Sequence, residues 1–331
     1  MSKISVYFQR GNILESIHSV KCYIGSINDE SIFSTNNQED FIFPRSSIKI
    51  FQAIPFVSAS AKTFFKLNSR QIALSCSSHC GETFHVKELK NWLKKTNLKI
   101  SNLKCGVHNP LDKMSSEKLF LSGSKPFQLH NNCAGKHLAM LSSCIINNYS
   151  IKNYVDFDHP HQKKIRSVFS EFTENKIMKK DYGIDGCSAP QYGFKIKNLT
   201  KALCNLFKSY KGKYEYKKDV RMIINSIVEN PIFIGGSNNL DSNLIKISNK
   251  KIFCKGGAEG VFLFLHLKKG IFGILKVVDG NERALPSAVY NLCKKFNILN
   301  QDELKRFNLW NNFNLHNHAK IKIGSIETII E

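Results

Sequence analysis

Arginine is scarce in this chain. Of its 48 basic residues, seven are Arg and 41 are Lys, and with only 26 acidic residues the formal net charge is +22. That imbalance invites a nucleic-acid reading. Proteins that read base edges or clamp phosphates favour the guanidinium fork, however, and no RRM, KH or zinc-finger pattern accompanies the charge. Lys, Asn, Ile and Phe run high together instead, so the expectation is no nucleic-acid partner. Long apolar runs are also missing. Val261-Phe262-Leu263-Phe264-Leu265 is broken by His266, far short of the ~20 residues that span a bilayer. The stretch from Met1 to Phe8 lacks the apolar region of a secretory signal. The chain is therefore expected to be cytoplasmic, without membrane association, and with its thiols reduced. Repeats and linker-like stretches are absent too, so the 331 residues are expected to form a single unit.

What is present begins with ten cysteines, at 22, 76, 80, 105, 133, 144, 187, 204, 254 and 293. In a reducing compartment, clustered Cys point to chemistry or metal rather than to disulfides. Cys204 and Cys293 lie in apolar helical patterns and read as core residues.

Hydrophobic periodicity predicts strands at 4–9 and 20–26 around a turn at Arg10-Gly11-Asn12, and a hairpin at 261–267 and 270–278. A helix is expected from Arg45 to about Phe65 with Ser near its N-cap, and an amphipathic helix over 82–95. Residues 72–75 read as a short buried strand or a helix end. Further helices are expected at 136–147, 160–175, 197–208, 216–229 and 284–296. The stretch after Asp302 gives no clear signal. Strands cluster at both ends, in 1–60 and 230–331, and helices fill 61–229. This predicts an α+β or three-layer α/β/α architecture with a mainly antiparallel sheet.

Five segments carry chemistry-bearing residues. Ser46-x-x-Lys49 puts a hydroxyl and an amine on one helix face. A Ser becomes nucleophilic when a neighbour takes its proton, and a desolvated Lys can do so; the pattern is the S-x-x-K nucleophile motif, or a capping Ser with a surface Lys. Cys76-Ser77-Ser78-His79-Cys80 has zinc-like spacing but no second ligand pair, and its hydroxyl-rich tip suits a substrate-facing turn holding Ser78, or a plain turn. Asn131-Asn132-Cys133-Ala134-Gly135-Lys136-His137 places Cys133 and Lys136 on one face of a helix start, as a charge-stabilised thiolate or a buried core Cys. The loop Gly183 to Pro190 presents Asp185 and Cys187 at fixed angles, or is an ordinary turn. Lys255-Gly256-Gly257-Ala258-Glu259-Gly260 precedes a strand. Its small residues admit close approach, and Lys255 stands where a K-T-G lysine would, unless the run is only a glycine-rich lead into a hairpin.

Taken in order, these segments resemble one family, the L-asparaginase II or class 3 asparaginases. The resemblance rests on Arg10-Gly11 with Glu15 and His18, Pro44-Arg45-Ser46-Ser47 through Lys49 and Gln52, and Ser78-His79 with Gly81-Glu82. It continues through Cys105-Gly106 with His108 and Pro110, Asn131 to Cys133 with Gly135-Lys136-His137, Asp185-Gly186-Cys187 with Pro190, and Lys255 with Gly257 to Gly260. It implies a serine β-lactamase/glutaminase-like fold, a homodimer, and hydrolysis of L-asparagine to L-aspartate and ammonia. It implies Ser46 with Lys49 as nucleophile and base, and Ser78 with Lys255 as a second tandem relaying protons. It also implies a zinc site of Cys133, Lys136 and Cys187, with Asp185 receiving the substrate amine and Arg45 its carboxylate. Cys76 and Cys80 beside Ser78 depart from the usual pattern. A related acyl-serine amidohydrolase acting on glutamine or a β-lactam, or a non-enzymatic metal- or nucleic-acid-binding protein, remain open at this point.

Overall fold

The computed structural model describes residues 2–28 and 31–331. Its frame is an antiparallel sheet. β1 (Ile4–Arg10) buries Ile4, Val6 and Phe8 and turns their neighbours outward, the period-two alternation of a strand with one face on a core. Gly11, at φ 55°, and Asn12 lead into β2 (Ile13–Ser26). β2 starts well before the expected residue 20 because its first part, through Ile17, carries little burial and hence little periodic signal. β3 (Ser31–Ser34) pairs along the end of β2.

β8 (Ile252–Gly257), β9 (Val261–His266) and β10 (Ile271–Val277) form the other half of the sheet, and β9–β10 is the expected hairpin. The stretch without a signal after Asp302 folds into a helix, Gln301–Trp310, and then β11 (Asn314–His316) and β12 (Lys322–Ile330). β12 pairs with β1 from Ile4↔Ile330 to Arg10↔Gly324. The two chain ends thus complete each other's backbone hydrogen bonds, a long-range pairing with no local mark in the sequence. The strand order is β11-β12-β1-β2-β10-β9-β8. Every residue of β9, and every residue of β8 but Gly256, is buried, so this end of the sheet is covered on both faces.

The helices are α1 (Lys49–Ser58), α2 (Ala61–Phe64), α3 (Ser69–Ser75), α4 (Thr83–Lys95), α5 (Lys113–Leu121) and α6 (Ala134–Ile146). There follow α7 (Pro160–Thr173), α8 (Ile196–Tyr210), α9 (Lys217–Glu229), α10 (Leu240–Ile247), α11 (Leu285–Lys295) and α12, the 301–310 helix. β4 (Phe41–Ile42) with β7 (Phe194–Lys195), and β5 (Tyr182–Ile184) with β6 (Pro190–Tyr192), are small outlying ribbons. α8 packs on β10 and β2, α10 on β8, and α11 on β12.

The expected helix over 45–65 is broken. A 3-10 turn, Arg45–Ile48, opens it, and Ser46 lies inside that turn rather than at a cap. α1 then ends at Ser58, and Ser60 takes a left-handed φ of 59°. α1 is buried from Lys49 to Val57 and packs against α6, α7 and α9. A helix apolar all round belongs in a core, where each large side chain removed from water contributes about 1.5–3 kcal/mol. Two polar residues, Lys49 and Gln52, are carried in with it, and the burial of the Lys49 amine is the first structural sign of a site.

Candidate active site

The turn bearing Ser46 is pressed against the end of β8. A Cβ on Gly257 would lie 2.5 Å from the Pro44 carbonyl oxygen and 3.2 Å from the Ser46 nitrogen. Only glycine lets strand and turn approach this closely. Ser46 is half-buried and its hydroxyl makes no hydrogen bond among the described residues. It opens on a cavity of about 290 Å³ lined also by Ser78, Cys80, Asn132, Asp241 and Lys255.

Lys49 lies one helical turn on. Its Nζ donates to the Ser77 carbonyl, to Ser78 Oγ at 3.1 Å and to Cys133 Sγ at 3.2 Å. Burial drives its pKa down, the Cys133 sulfur opposes this, and the charges of Lys136 and Lys255 add to the fall. Ser78 is itself held in place, because its N–H donates to the Ile234 carbonyl at 2.9 Å. The hydrogen bonds therefore join Lys49 to Ser78. Lys255 donates to Asp241 Oδ2 at 2.6 Å and to the Gly256 carbonyl at 2.8 Å. Neither lysine hydrogen-bonds Ser46.

Behind Lys49 lies a sulfur cluster. The Cys133 and Cys187 sulfurs and an Asp185 carboxylate oxygen all lie within 4.8 Å of one another. Cys187 Sγ is 3.4 Å from Asp185 Oδ2, and Lys136 Nζ is 3.6 Å from the same oxygen. Arg45 Nε donates to Asp185 Oδ1 at 3.0 Å, and its Nη2 stands 2.9 Å from the same oxygen as an ion pair. The thiol of Cys133 stabilises a thiolate on Cys187, which sits near 5 despite its burial, with the Lys136 charge helping. Cys133 is pushed up to about 12 by the same contact and by burial. Burial would raise the Asp185 carboxyl, but Lys136 and Arg45 outweigh it and hold the value near 2. Burial likewise works against the Lys136 charge, and the two sulfurs and Asp185 reverse it, so Lys136 is held as an ammonium.

Local sequence explains this placement. Asn131 Nδ2 donates to the Cys105 carbonyl at 2.7 Å, and its Oδ1 accepts from the Cys133 N–H at 2.9 Å. Gly135, in the first turn of α6, would carry a Cβ 2.0 Å from the Leu74 carbonyl oxygen. Its missing side chain lets α6 meet the end of α3 and sets Cys133 against Lys49. His137 is tied to Tyr154 at 2.6 Å. Asp185 and Cys187 hang in the loop between β5 and β6, closed by the Ser188 N–H to the Asp185 carbonyl at 2.8 Å.

The donor set suits a divalent cation such as zinc: two thiols, one already ionised, beside a carboxylate on a buried wall. Asp185, which the family resemblance assigns to the substrate, lies within 4.8 Å of both sulfurs. Lys136, assigned as a ligand, is an ammonium and can ligate only after losing a proton. Cys76 and Cys80 lie outside the cluster. Burial pushes them up to about 12 and about 11, which favours the protonated thiol. Asp241 was not singled out in the sequence.

The family model of L-asparaginase II matches residues 6–328. The chain belongs to the L-asparaginase II family. Membership supports a hydrolase acting on amides, and the free hydroxyl of Ser46 beside two buried lysines suits a covalent route. No curated protein matches the sequence. Among solved structures, a proposed beta-lactamase from Bacteroides dorei DSM 17855 overlaps 83% of this chain and 93% of its own. It does so loosely, at 10% identity and a TM-score of 0.40. Among the described residues no helix is long and apolar enough to cross a membrane.

Proposed function

We propose that this member of the L-asparaginase II family hydrolyses L-asparagine to L-aspartate and ammonia, with Ser46 as nucleophile. The observation that carries the reading is the unpartnered Ser46 hydroxyl on a cavity wall shared with Ser78 and Lys255, with Lys49 bonded to Ser78. Ser46 Oγ attacks the side-chain amide carbon, and its proton passes to neutral Lys49. The Ser46 N–H, in the first turn of a 3-10 helix and so without an intrahelical acceptor, suits the developing oxyanion. Lys49 returns the proton through Ser78 to the amide nitrogen, which leaves as ammonia. Water then attacks the Ser46 ester, its proton returning by the same route, and aspartate is released. The S-x-x-K pair thus acts with Ser78 as its outlet, and Lys255 forms the opposite wall.

Asp185 and Arg45 border a second cavity, of about 530 Å³. Ionised Asp185 offers a counter-charge to the substrate's α-ammonium. Arg45, with N–H groups beyond the one donated to Asp185, offers one to the α-carboxylate. Cys133 and Cys187, with Lys136 or Asp185, would hold zinc, which supplies positive charge next to the substrate. We read the fold as a three-layer α/β/α unit of the serine β-lactamase and glutaminase kind, acting as a cytoplasmic homodimer. No disulfide joins any two of the described cysteines.

Ammonia release from L-asparagine and L-glutamine by the folded, zinc-loaded protein tests the reading. Preference for asparagine is expected. No turnover of either amide overturns it, and a covalent β-lactam adduct on Ser46 redirects it to another acyl-serine amidohydrolase. Sedimentation decides the dimer.

A further inference from the structure

Asp241 faces the catalytic cavity, yet none of the motifs above includes it. It stands in the first turn of α10 and is almost wholly buried, as is Lys255. It is held at four points. Its N–H donates to Asn239 Oδ1 at 2.9 Å, and its own carbonyl accepts the Cys254 thiol at 3.4 Å. Its Oδ1 accepts the Gly256 N–H at 2.8 Å, and its Oδ2 accepts from Lys255 Nζ at 2.6 Å.

A side chain so fixed is a positioning device. An ammonium has three N–H donors and no acceptor. Two of the three on Lys255 go to Asp241 and to the Gly256 carbonyl, leaving one for the cavity that Lys255 lines. Deprotonating Lys255 would strand the Asp241 carboxylate, buried and without its counter-charge, which is costly. The other titratable groups around this amine are Glu282 from the turn before α11, Cys80 and Cys76 around the end of α3, Cys254 on β8, and Lys49 from α1. Of these, only Glu282 is a second carboxyl, and no ion pair joins it to Lys255 among the described residues. Asp241 thus sets the charge of Lys255.

We infer that Asp241 is a positioning residue that fixes Lys255 as a permanent cation in the cavity wall, so that Lys255 donates a hydrogen bond toward the reacting amide and takes no part in proton exchange. The catalytic meaning of this rests on the amidohydrolase reading. The charged pair itself does not.

The test therefore has two arms. In the first, lysines are acetylated with dilute acetic anhydride across pH 6–11 and quantified by mass spectrometry. In the natural protein, Lys255 should label no earlier in the pH series than the surface lysines. In Asp241→Asn, which still accepts the Gly256 N–H, the onset should move down by about one unit or more while surface lysines stay put. In the second arm, Asp241→Asn should lower kcat/KM at least about tenfold, bring the alkaline fall of the rate to lower pH, and keep its circular dichroism. Asp241→Glu should restore much of the rate.

An unchanged labelling profile in Asp241→Asn overturns the inference, as does activity within twofold of the natural protein. If that variant does not fold, labelling of Lys255 in the natural protein at lower pH than the surface lysines overturns it instead. If labelling behaves as expected but no amide is hydrolysed by the natural protein, the proposed function fails and the fixed cation stands.

Discussion

Two buried lysines approach one cavity from opposite sides, and their surroundings differ in kind. Lys49, on the helical side, hydrogen-bonds a carbonyl, a hydroxyl and a sulfur. Lys255, on the sheet side, faces a buried carboxylate at 2.6 Å. A buried amine without a carboxylate sheds its proton readily; one with a carboxylate keeps it. On the reading proposed above, Lys49 serves as the base and Lys255 as a fixed cation. The family resemblance pairs Ser46 with Lys49 and Ser78 with Lys255, whereas the hydrogen bonds join Lys49 to Ser78 and Lys255 to Asp241.

The largest expected effect comes from removing the group between the two walls. Ser46→Ala should lower kcat by about 10⁴–10⁶-fold with unchanged thermal unfolding, because its hydroxyl supports no other part of the fold. Ammonia release with mass spectrometry for an acyl-enzyme checks it. If Ser78→Ala is dead while Ser46→Ala works, Ser78 is the nucleophile and the two serines exchange roles.

Next comes the base. Lys49→Arg keeps a cation but cannot give up its proton, so kcat should fall by about 10²–10⁴-fold. In the natural protein the active form of Lys49 is the neutral one, and burial lowers its pKa from 10.5. The rate should therefore rise with pH through an ionisation below 10.5, and that ascending limb should vanish in Lys49→Arg. An equally steep limb in the variant would show that Lys49 is not the titrating group, and the contrast with Lys255 would collapse.

The sequence shows some of this directly. The 3.6-residue period marks α4, α7, α8 and α9 because each buries one face and wets the other. It also shows the β9–β10 hairpin, whose flanking apolar runs meet at Lys268-Lys269-Gly270. The pairing of β12 with β1 is invisible, since its register depends on residues more than 300 positions apart. The site residues are legible as types: contacts join Ser78, Lys49, Cys133, Cys187, Asp185, Lys136 and Arg45, and Ser46 and Lys255 share one cavity with Ser78. Their partnering is not legible. Lys49 finds Ser78 because α3 delivers the Ser77–Ser78 loop to its tip, which spacing along α1 cannot foretell. No sequence motif marks Asp241, and no periodic signal marks the helix that carries it. Only the fold reveals what lies opposite it.

A smaller change separates the sulfur cluster from the base. Cys133→Ser removes one ligand and one partner of Lys49. Zinc affinity should fall by at least about tenfold, measured by competition with a chromogenic chelator. Turnover should fall less than in Lys49→Arg, since Lys49 keeps Ser78. Undiminished zinc binding would move the metal site off this cluster.

The smallest effect tests how the helical wall is assembled, by setting two glycines of the site against each other. Gly135 and Gly186 flank the sulfur cluster, one ahead of Lys136 and one ahead of Cys187. On helix propensity alone, alanine at Gly135 should gain about 1 kcal/mol, because glycine is a poor helix former. Packing opposes this. The added carbon would meet the Leu74 carbonyl oxygen at 2.0 Å and its carbon at 2.7 Å, both backbone atoms that cannot swing aside. Overpacking of this kind costs about 1–3 kcal/mol, so Gly135→Ala should be net destabilising and lower Tm by a few degrees. At Gly186 an added carbon meets nothing within 4 Å, and alanine there should leave Tm unchanged. Parallel thermal unfolding of the two variants reads the difference. If Gly135→Ala is as stable as Gly186→Ala, α6 can retreat from α3 at little cost, and the contact of Cys133 with Lys49 is not held by the close packing of those two helices.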